Sequence, residues 1–161
     1  MIVGESVVHE LVLPAPAMEV FAMFVDPERL IRWIGLSADL EPRPGGRFRF
    51  EVAPGQHCEG TYVAIEPPHR LVFTWGWTEP AMGVAPGSSS VEVTLSSMDE
   101  AHTRLRLIHS GLQGNDSRDL HDDGWSRFLA RLLAVLAGRS APAYPTEIPA
   151  ARLQTLRAER P

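Results

Sequence analysis

The sequence predicts an α+β domain. One curved antiparallel sheet of about six to seven strands wraps around a long C-terminal helix, with two short helices after the first strand. Three observations lead there. Apolar and polar residues alternate with period two through most of the stretch from Arg47 to Ser110. One long segment from about Ser117 to Ala137 carries an apolar stripe at helical spacing and stops at Gly138. Between Pro16 and Ile34 the pattern is helical but interrupted by Asp26-Pro27.

Taken in order, "SVVHELVLPAP" (Ser6–Pro16) reads as a strand stopped by two prolines. Pro16 suits the first position of a helix, and Val20, Phe21 and Phe24 form its apolar stripe. Asp26-Pro27 ends that helix and caps a second, whose inner face holds Leu30, Trp33 and Ile34. "PRPGG" is a turn, lacking both glycine-rich phosphate-binding patterns. "RFRFEV" then sets Phe48, Phe50 and Val52 against Arg47, Arg49 and Glu51. "EGTYVAIEPP" is a strand closed by a double-proline turn, and "RLVFTWGW" puts Leu71, Phe73, Trp75 and Trp77 on one face. Gly76 between two tryptophans marks a bulge or a close backbone approach. Thr78–Ser90 is a Gly/Pro-rich loop at the mouth of any cavity, suited to act as a mobile lid. "SVEVTLSSM" and "TRLRLIHSG" alternate again across a tight turn, with Leu105, Leu107 and His109 on the inner parity. Asn115 or Asp116 is the expected N-cap of the last helix.

The chain has 161 residues, 44% of them hydrophobic, which suits a single domain with its own core. The expected domain covers residues 5–138. Residues 139–161 form a Pro-rich tail with one short helix over 150–159. The net charge is −5, and all 15 basic residues are arginines, a coding bias expected of a GC-rich bacterial genome. No basic patch offers to hold a phosphate backbone or an anionic membrane, so neither nucleic acid nor membrane is an expected partner. The lone Cys58 excludes cysteine-rich zinc motifs and an internal disulfide. With no signal-peptide pattern at the start and no apolar run near the ~20 residues that span a bilayer, a cytoplasmic location is expected.

The ordered segments "LPAPAMEVFAMFVDPERLIRWI", "PGGRFRFEV", "EGTYVAIEPPHRLVFTW", "TRLRLIHSGL" and "DDGWSRFLARLLAVL" resemble a known family. It comprises the homologues of the C-terminal domain of the heat-shock protein 90 ATPase activator, within the START-like or SRPBCC superfamily. The resemblance covers roughly residues 5–138 and implies the helix-grip fold shared with the birch-pollen allergen. It also implies a hydrophobic cavity, since superfamily members bind lipids, hormones or polyketides and some are cyclases or aromatases. The eukaryotic co-chaperones carry a separate N-terminal domain for which this chain has no room, so strong ATPase stimulation is not expected.

A sheet bent over one helix leaves space for a pocket. Parity and helical phase give it the candidate lining Trp33, Phe48, Phe50, Tyr62, Phe73, Trp75, Trp77, Leu107, His109, His121, Trp125, Phe128 and Leu132. At ~100° per residue, His121, Trp125, Phe128, Leu129, Leu132 and Leu136 share one face of the last helix, whereas Asp119 and Asp123 point away. The aspartates of "HDDGW" and its approach are thus dipole-compensating and solubilising, not convergent ligands. Gly124, costly in mid-helix, is expected at a close helix–sheet contact. His109 and His121 look into one apolar space, either as core histidines bonded within the chain or as donors to a ligand's polar group. The inner faces supply no carboxylate to orient an imidazole, so no catalytic residue is assigned.

The expected function is non-catalytic binding of a small hydrophobic or aromatic ligand, with no metal and no organic cofactor. A cyclase or hydrolase using His109 or His121 is the enzymatic alternative. A stress-related co-chaperone or dimeric adaptor is the interaction alternative, and a homodimer is its expected assembly.

Overall fold

In the computed structural model, which describes residues 1–142, the alternating segments join into one eight-stranded antiparallel sheet. Its strands are β1 (Ile2–Val3), β2 (Ser6–Leu13), β3 (Ser37–Leu40), β4 (Arg47–Ala53), β5 (Gln56–Glu66), β6 (Arg70–Trp75), β7 (Ser89–Asp99) and β8 (His102–Ser110). Three helices accompany it: α1 (Ala17–Val25), α2 (Pro27–Leu30) and α3 (Asn115–Leu136). The spatial order is β1-β2-β8-β7-β6-β5-β4-β3, so β3 to β8 run as a meander and β2 returns to pair with β8.

The period-two pattern decides which face is covered. Phe48 and Phe50 on β4, Phe73 and Trp75 on β6, Val91 and Val93 on β7, and Leu105 and Leu107 on β8 are all buried. Residues of the opposite parity pair in solvent: Arg70 with Glu66 and Glu92, and Arg106 with Glu10. Register shifts between Glu51 and Ala53, between Tyr62 and Ala64, and between Ser97 and Asp99 each add local twist, which bends the sheet.

The helix pair follows from its caps. Asp26 Oδ1 accepts from the Glu28 amide at 3.0 Å, which starts α2 where α1 stops. The Trp33 indole donates to the Met23 carbonyl at 2.9 Å, and the Tyr62 hydroxyl donates to the Phe24 carbonyl at 3.0 Å. Arg131 on α3 donates to the Trp33 carbonyl at 3.1 Å, fastening the long helix to the end of the pair.

Several elements differ from the sequence reading. The sheet has eight strands because β1 and β3 are only two and four residues long, too short to display a period. Helix α3 begins at Asn115 with Gly114 as its N-cap and no side-chain cap, so neither Asn115 nor Asp116 takes that place. Gly114 holds φ +86, a conformation a side chain resists, and the capping position went to backbone freedom. A Cβ on Gly124 would meet nothing within 4 Å, so no close helix–sheet contact explains that glycine. Leu136 is half-buried, not inside. The expected short helix over 150–159 lies outside the described residues.

Candidate functional site

Rings from both walls meet in the space between the sheet and α3. Phe48 and Phe73 stack at 4.2 Å, from strands two apart in the sheet. Trp75 lies 5.0 Å from Trp125 on α3, 5.4 Å from Phe50 and 5.4 Å from Trp77, the last at right angles. Phe128 adds a T-shaped contact to Trp125 at 6.2 Å, and Tyr62 one to Phe48 at 5.6 Å. Leu107 and Leu132 are fully buried in the same core. Trp33 is buried too, but its ring partner is Phe24 of the helix pair.

Two histidines cross this interior, and each joins one wall to the other. His121 on α3 lies 5.1 Å from His109 on β8, ring centre to ring centre. The Trp77 indole donates to His121 Nε2 at 2.9 Å, which leaves the proton on Nδ1. That Nδ1 sits 2.8 Å from the Ser117 carbonyl and donates to it. Likewise the Trp125 indole donates to His109 Nδ1 at 3.0 Å, so His109 Nε2 carries its proton toward Ser89 Oγ at 2.8 Å. The Ser89 hydroxyl passes its own hydrogen to the Trp75 carbonyl at 2.8 Å. All four imidazole nitrogens therefore have partners within the chain. Burial holds His121 down at about 4, against the opposing bond to Ser117, and pushes His109 well below the ordinary imidazole value, helped by His121. Both rings are neutral at pH 7.

This arrangement is poor at proton transfer. A general base needs a free nitrogen lone pair facing substrate, and here each lone pair accepts an indole N–H. The buried polar side chains among the described residues are Ser89, Thr103, His109, Ser117 and His121, with no carboxylate. No group of three or more His, Cys, Asp or Glu among those residues is placed to hold a metal. Burial also raises the Cys58 thiol well above its usual value, which makes it a poor nucleophile.

Two buried polar atoms in this region have no partner among the described residues: the Trp75 indole nitrogen and the Ser117 hydroxyl. The other three indoles all donate, at 2.9–3.0 Å. An unpaired buried donor costs about 1–3 kcal/mol.

Trp77 closes the interior at one end. A pocket of about 360 Å³ opens beyond it, bounded by Glu79, Pro80, Gly83, Val84 and Ala85. The Thr78–Ser90 loop that forms this pocket is anchored. The Trp77 amide donates to the Val84 carbonyl at 2.7 Å, and Ala81, Met82 and Val84 are buried. Gly76 permits the close approach that its position between two tryptophans predicted: a Cβ there would lie 1.8 Å from the Ala85 carbonyl oxygen. A smaller depression of about 190 Å³ lies by β3, where Phe50 borders Asp39, Arg49, Glu51 and His57.

The opening letters of α3 divide as the wheel predicts. Asp119 and Asp123 are exposed, and Asp123 pairs with Arg127 at 3.1 Å. Asp122 meets the N-terminal amine and His9 Nε2. Three of the remaining histidines have acidic neighbours that sequence reasoning did not find: His9 with Asp122, His57 with Glu51, and His102 with Asp99. Ser89 and Ser117 were missed as well. Ser89 was within reach, because it shares the parity of Val91, Val93 and Leu95.

The model of the family described as "Activator of Hsp90 ATPase homolog 1-like protein" matches residues 14–137. The solution structure of an AHSA1-like protein from Rhizobium etli is 36% identical, with 89% of this chain and 88% of that chain covered and a TM-score of 0.65. The crystal structure of DynU16, a protein in the dynemicin biosynthetic locus, is 26% identical with a TM-score of 0.73, covering 88% of this chain and 51% of that one. Uncharacterized protein C1711.08 of Schizosaccharomyces pombe is 28% identical over 99 residues, 61% of this chain and 27% of the relative. The chain thus spans about a quarter of that curated relative and about half of DynU16. Among the described residues no helix is long and apolar enough to cross a membrane.

Proposed function

The chain belongs to the Activator of Hsp90 ATPase homolog 1-like protein family, of START-like fold, and we propose that it binds a small, flat, hydrophobic ligand between the sheet and α3 without converting it. The observation that carries this reading is the facing of indoles across one interior: Trp75 from the sheet, Trp125 from the helix, and Trp77 between them and the outer pocket of about 360 Å³. Flat amphipathic rings give large contact area with fixed geometry, which suits stacking on an aromatic ligand. The ligand enters from the outer pocket past Trp77, whose hydrogen bond to His121 is the contact that must loosen.

Binding is favoured over cyclase or hydrolase chemistry because both histidines are neutral and fully engaged. The likeness to a protein in a biosynthetic locus supports a role on a small molecule. Native mass spectrometry of freshly purified protein tests the reading, followed by titration with aromatic probes read by tryptophan quenching. A co-purified mass of a few hundred daltons, or saturable quenching that Trp77→Ala weakens, supports it. No bound mass and no saturable quenching with any probe refutes it. His121→Gln separates the alternatives: a binding protein keeps most of its affinity, whereas an acid–base enzyme loses most of its rate.

A further inference from the structure

We propose that the Trp75 indole N–H is the hydrogen-bond donor that selects the ligand, and that the ligand is an uncharged arene carrying a carbonyl-type acceptor. This inference rests on the small-ligand reading above and names the chemistry of that site.

Three observations lead to it. First, Trp75 is 1% exposed and its Nε1 has no acceptor among the described residues, while Trp33, Trp77 and Trp125 all donate. The bulk of the indole serves packing, but its buried N–H, left without an acceptor, costs free energy that packing does not explain. Second, Trp75 is the hub of the ring cluster, touching Phe48, Phe50, Phe73, Trp77, His109, His121 and Trp125. The donor thus sits at the centre of flat, mostly apolar rings, which a flat ligand entering past Trp77 would meet. Third, the buried polar side chains are serine, threonine and two neutral histidines, with every imidazole nitrogen already bonded. A charged ligand would find no counter-charge there. A ligand offering only donors would leave the indole unsatisfied. The Ser117 hydroxyl, one helical turn before His121 and also buried and unpartnered, is the second group available to a ligand oxygen.

A matched pair of probes isolates the acceptor. 9-Fluorenone and fluorene have nearly the same shape and differ by one carbonyl. A site built around a hydrogen bond rejects the analogue that lacks it. The full chain is titrated with both, and with fluorenone-4-carboxylate, by tryptophan quenching. The indole ¹H–¹⁵N signals are followed in parallel, with that of Trp75 assigned through space and by its loss in Trp75→Phe. The expected result is at least tenfold tighter binding of fluorenone than of fluorene, and at least tenfold weaker binding of the carboxylate. Saturation with fluorenone, but not fluorene, should move the Trp75 indole proton downfield. Trp75→Phe should bring the two neutral probes to within about twofold.

Equal binding of fluorenone and fluorene to the wild type overturns the inference while leaving the small-ligand reading intact. So does a preference that survives Trp75→Phe. An indole signal already hydrogen-bonded in the free protein and unmoved by fluorenone assigns the site to a buried water and also overturns it. If none of the three probes binds, this inference is overturned, and the small-ligand reading then stands or falls on the mass co-purified with the protein. Should Trp75→Phe not fold, the wild-type preference and the through-space assigned indole shift decide the matter.

Discussion

Lowering the pH from 7 toward 4 should destabilise the fold through its buried histidines, and His121→Gln should remove a defined share of that loss. His121 is held near 4 in the folded state, against 6.5 when exposed. Between those values the unfolded chain carries a proton that the folded chain refuses. Stability contributed by the neutral ring is therefore complete above about pH 6.5 and is lost progressively as pH falls toward 4. At pH 5 about 0.9 proton is taken up at this site on unfolding, a slope of roughly 1.2 kcal/mol per pH unit. Across the window the loss from His121 is about 3 kcal/mol, a large part of the ~5–15 kcal/mol that holds a typical domain together. His109 is shifted in the same direction and adds to the loss. Urea denaturation at half-unit steps from pH 4 to 7.5 measures this for the wild type and for His121→Gln. Gln can still accept from the Trp77 indole but cannot titrate. The variant will be somewhat less stable at pH 7, since the bond from the imidazole to the Ser117 carbonyl is gone. Its stability should nevertheless fall less steeply, by about 1.2 kcal/mol per pH unit near pH 5. Apart from His109, whose downward shift His121 helps to produce and which therefore flattens the variant's curve further, the other titrating groups are common to both proteins and cancel in the difference. Parallel curves would refute the reasoning, because His121 would then titrate alike in the folded and unfolded chains.

Three further outcomes are expected. Trp125→Ala should cost about 3–5 kcal/mol in chemical denaturation, because a ring 2% exposed is lost along with the partner of His109 Nδ1, whereas Asp123→Asn should stay within about ±0.5 kcal/mol. Gly76→Ala should destabilise strongly or prevent folding, since the added carbon would sit 1.8 Å from the Ala85 carbonyl oxygen, while Gly124→Ala should stabilise by about 1 kcal/mol; thermal melts in the reverse order would count against both. Elemental analysis after dialysis should find no transition metal in stoichiometric amount, since no group of three or more His, Cys, Asp or Glu among the described residues is placed to hold one.

The sheet was legible because one side of it is covered and the other wet. Arg47 to Glu51 could only alternate, and a slip of one residue would have turned Phe48 and Phe50 into solvent. Helix α3 was legible for the same reason at a different period. Very short elements were not. β3 spells "SADL", with Ala38 and Leu40 against Ser37 and Asp39 but too few residues to establish a period, and is fixed because Leu40 pairs with Phe48 and Ala38 with Phe50 on a neighbour that is strongly patterned. The helix start was misplaced because Asn115 and Asp116 are good capping residues, yet Gly114 already supplied the backbone turn that the loop required.

The site was half legible, and the division has a physical cause. Parity and helical phase report which side chains point inward, so the sequence could gather Trp75, Trp77, His109, His121 and Trp125 on facing surfaces. Hydrogen bonds between them depend on register, which no period encodes. Trp77 reaches His121, 44 residues away, because it lies beyond the end of β6, held by its amide bond to Val84 and bridged to Cys58. Ser89 reaches His109 because β7 places it opposite Trp75, two residues before Val91, which pairs with His109. These bonds decide between the two meanings a buried histidine can have. From the sequence alone, His109 and His121 were as good for holding a ligand as for holding the fold. Once both rings are seen to accept an indole and donate to an oxygen, they become the fixed frame. The buried polar atoms in this region without a partner among the described residues are then the indole nitrogen of Trp75, which parity had placed inside, and the hydroxyl of Ser117, which no sequence pattern singled out.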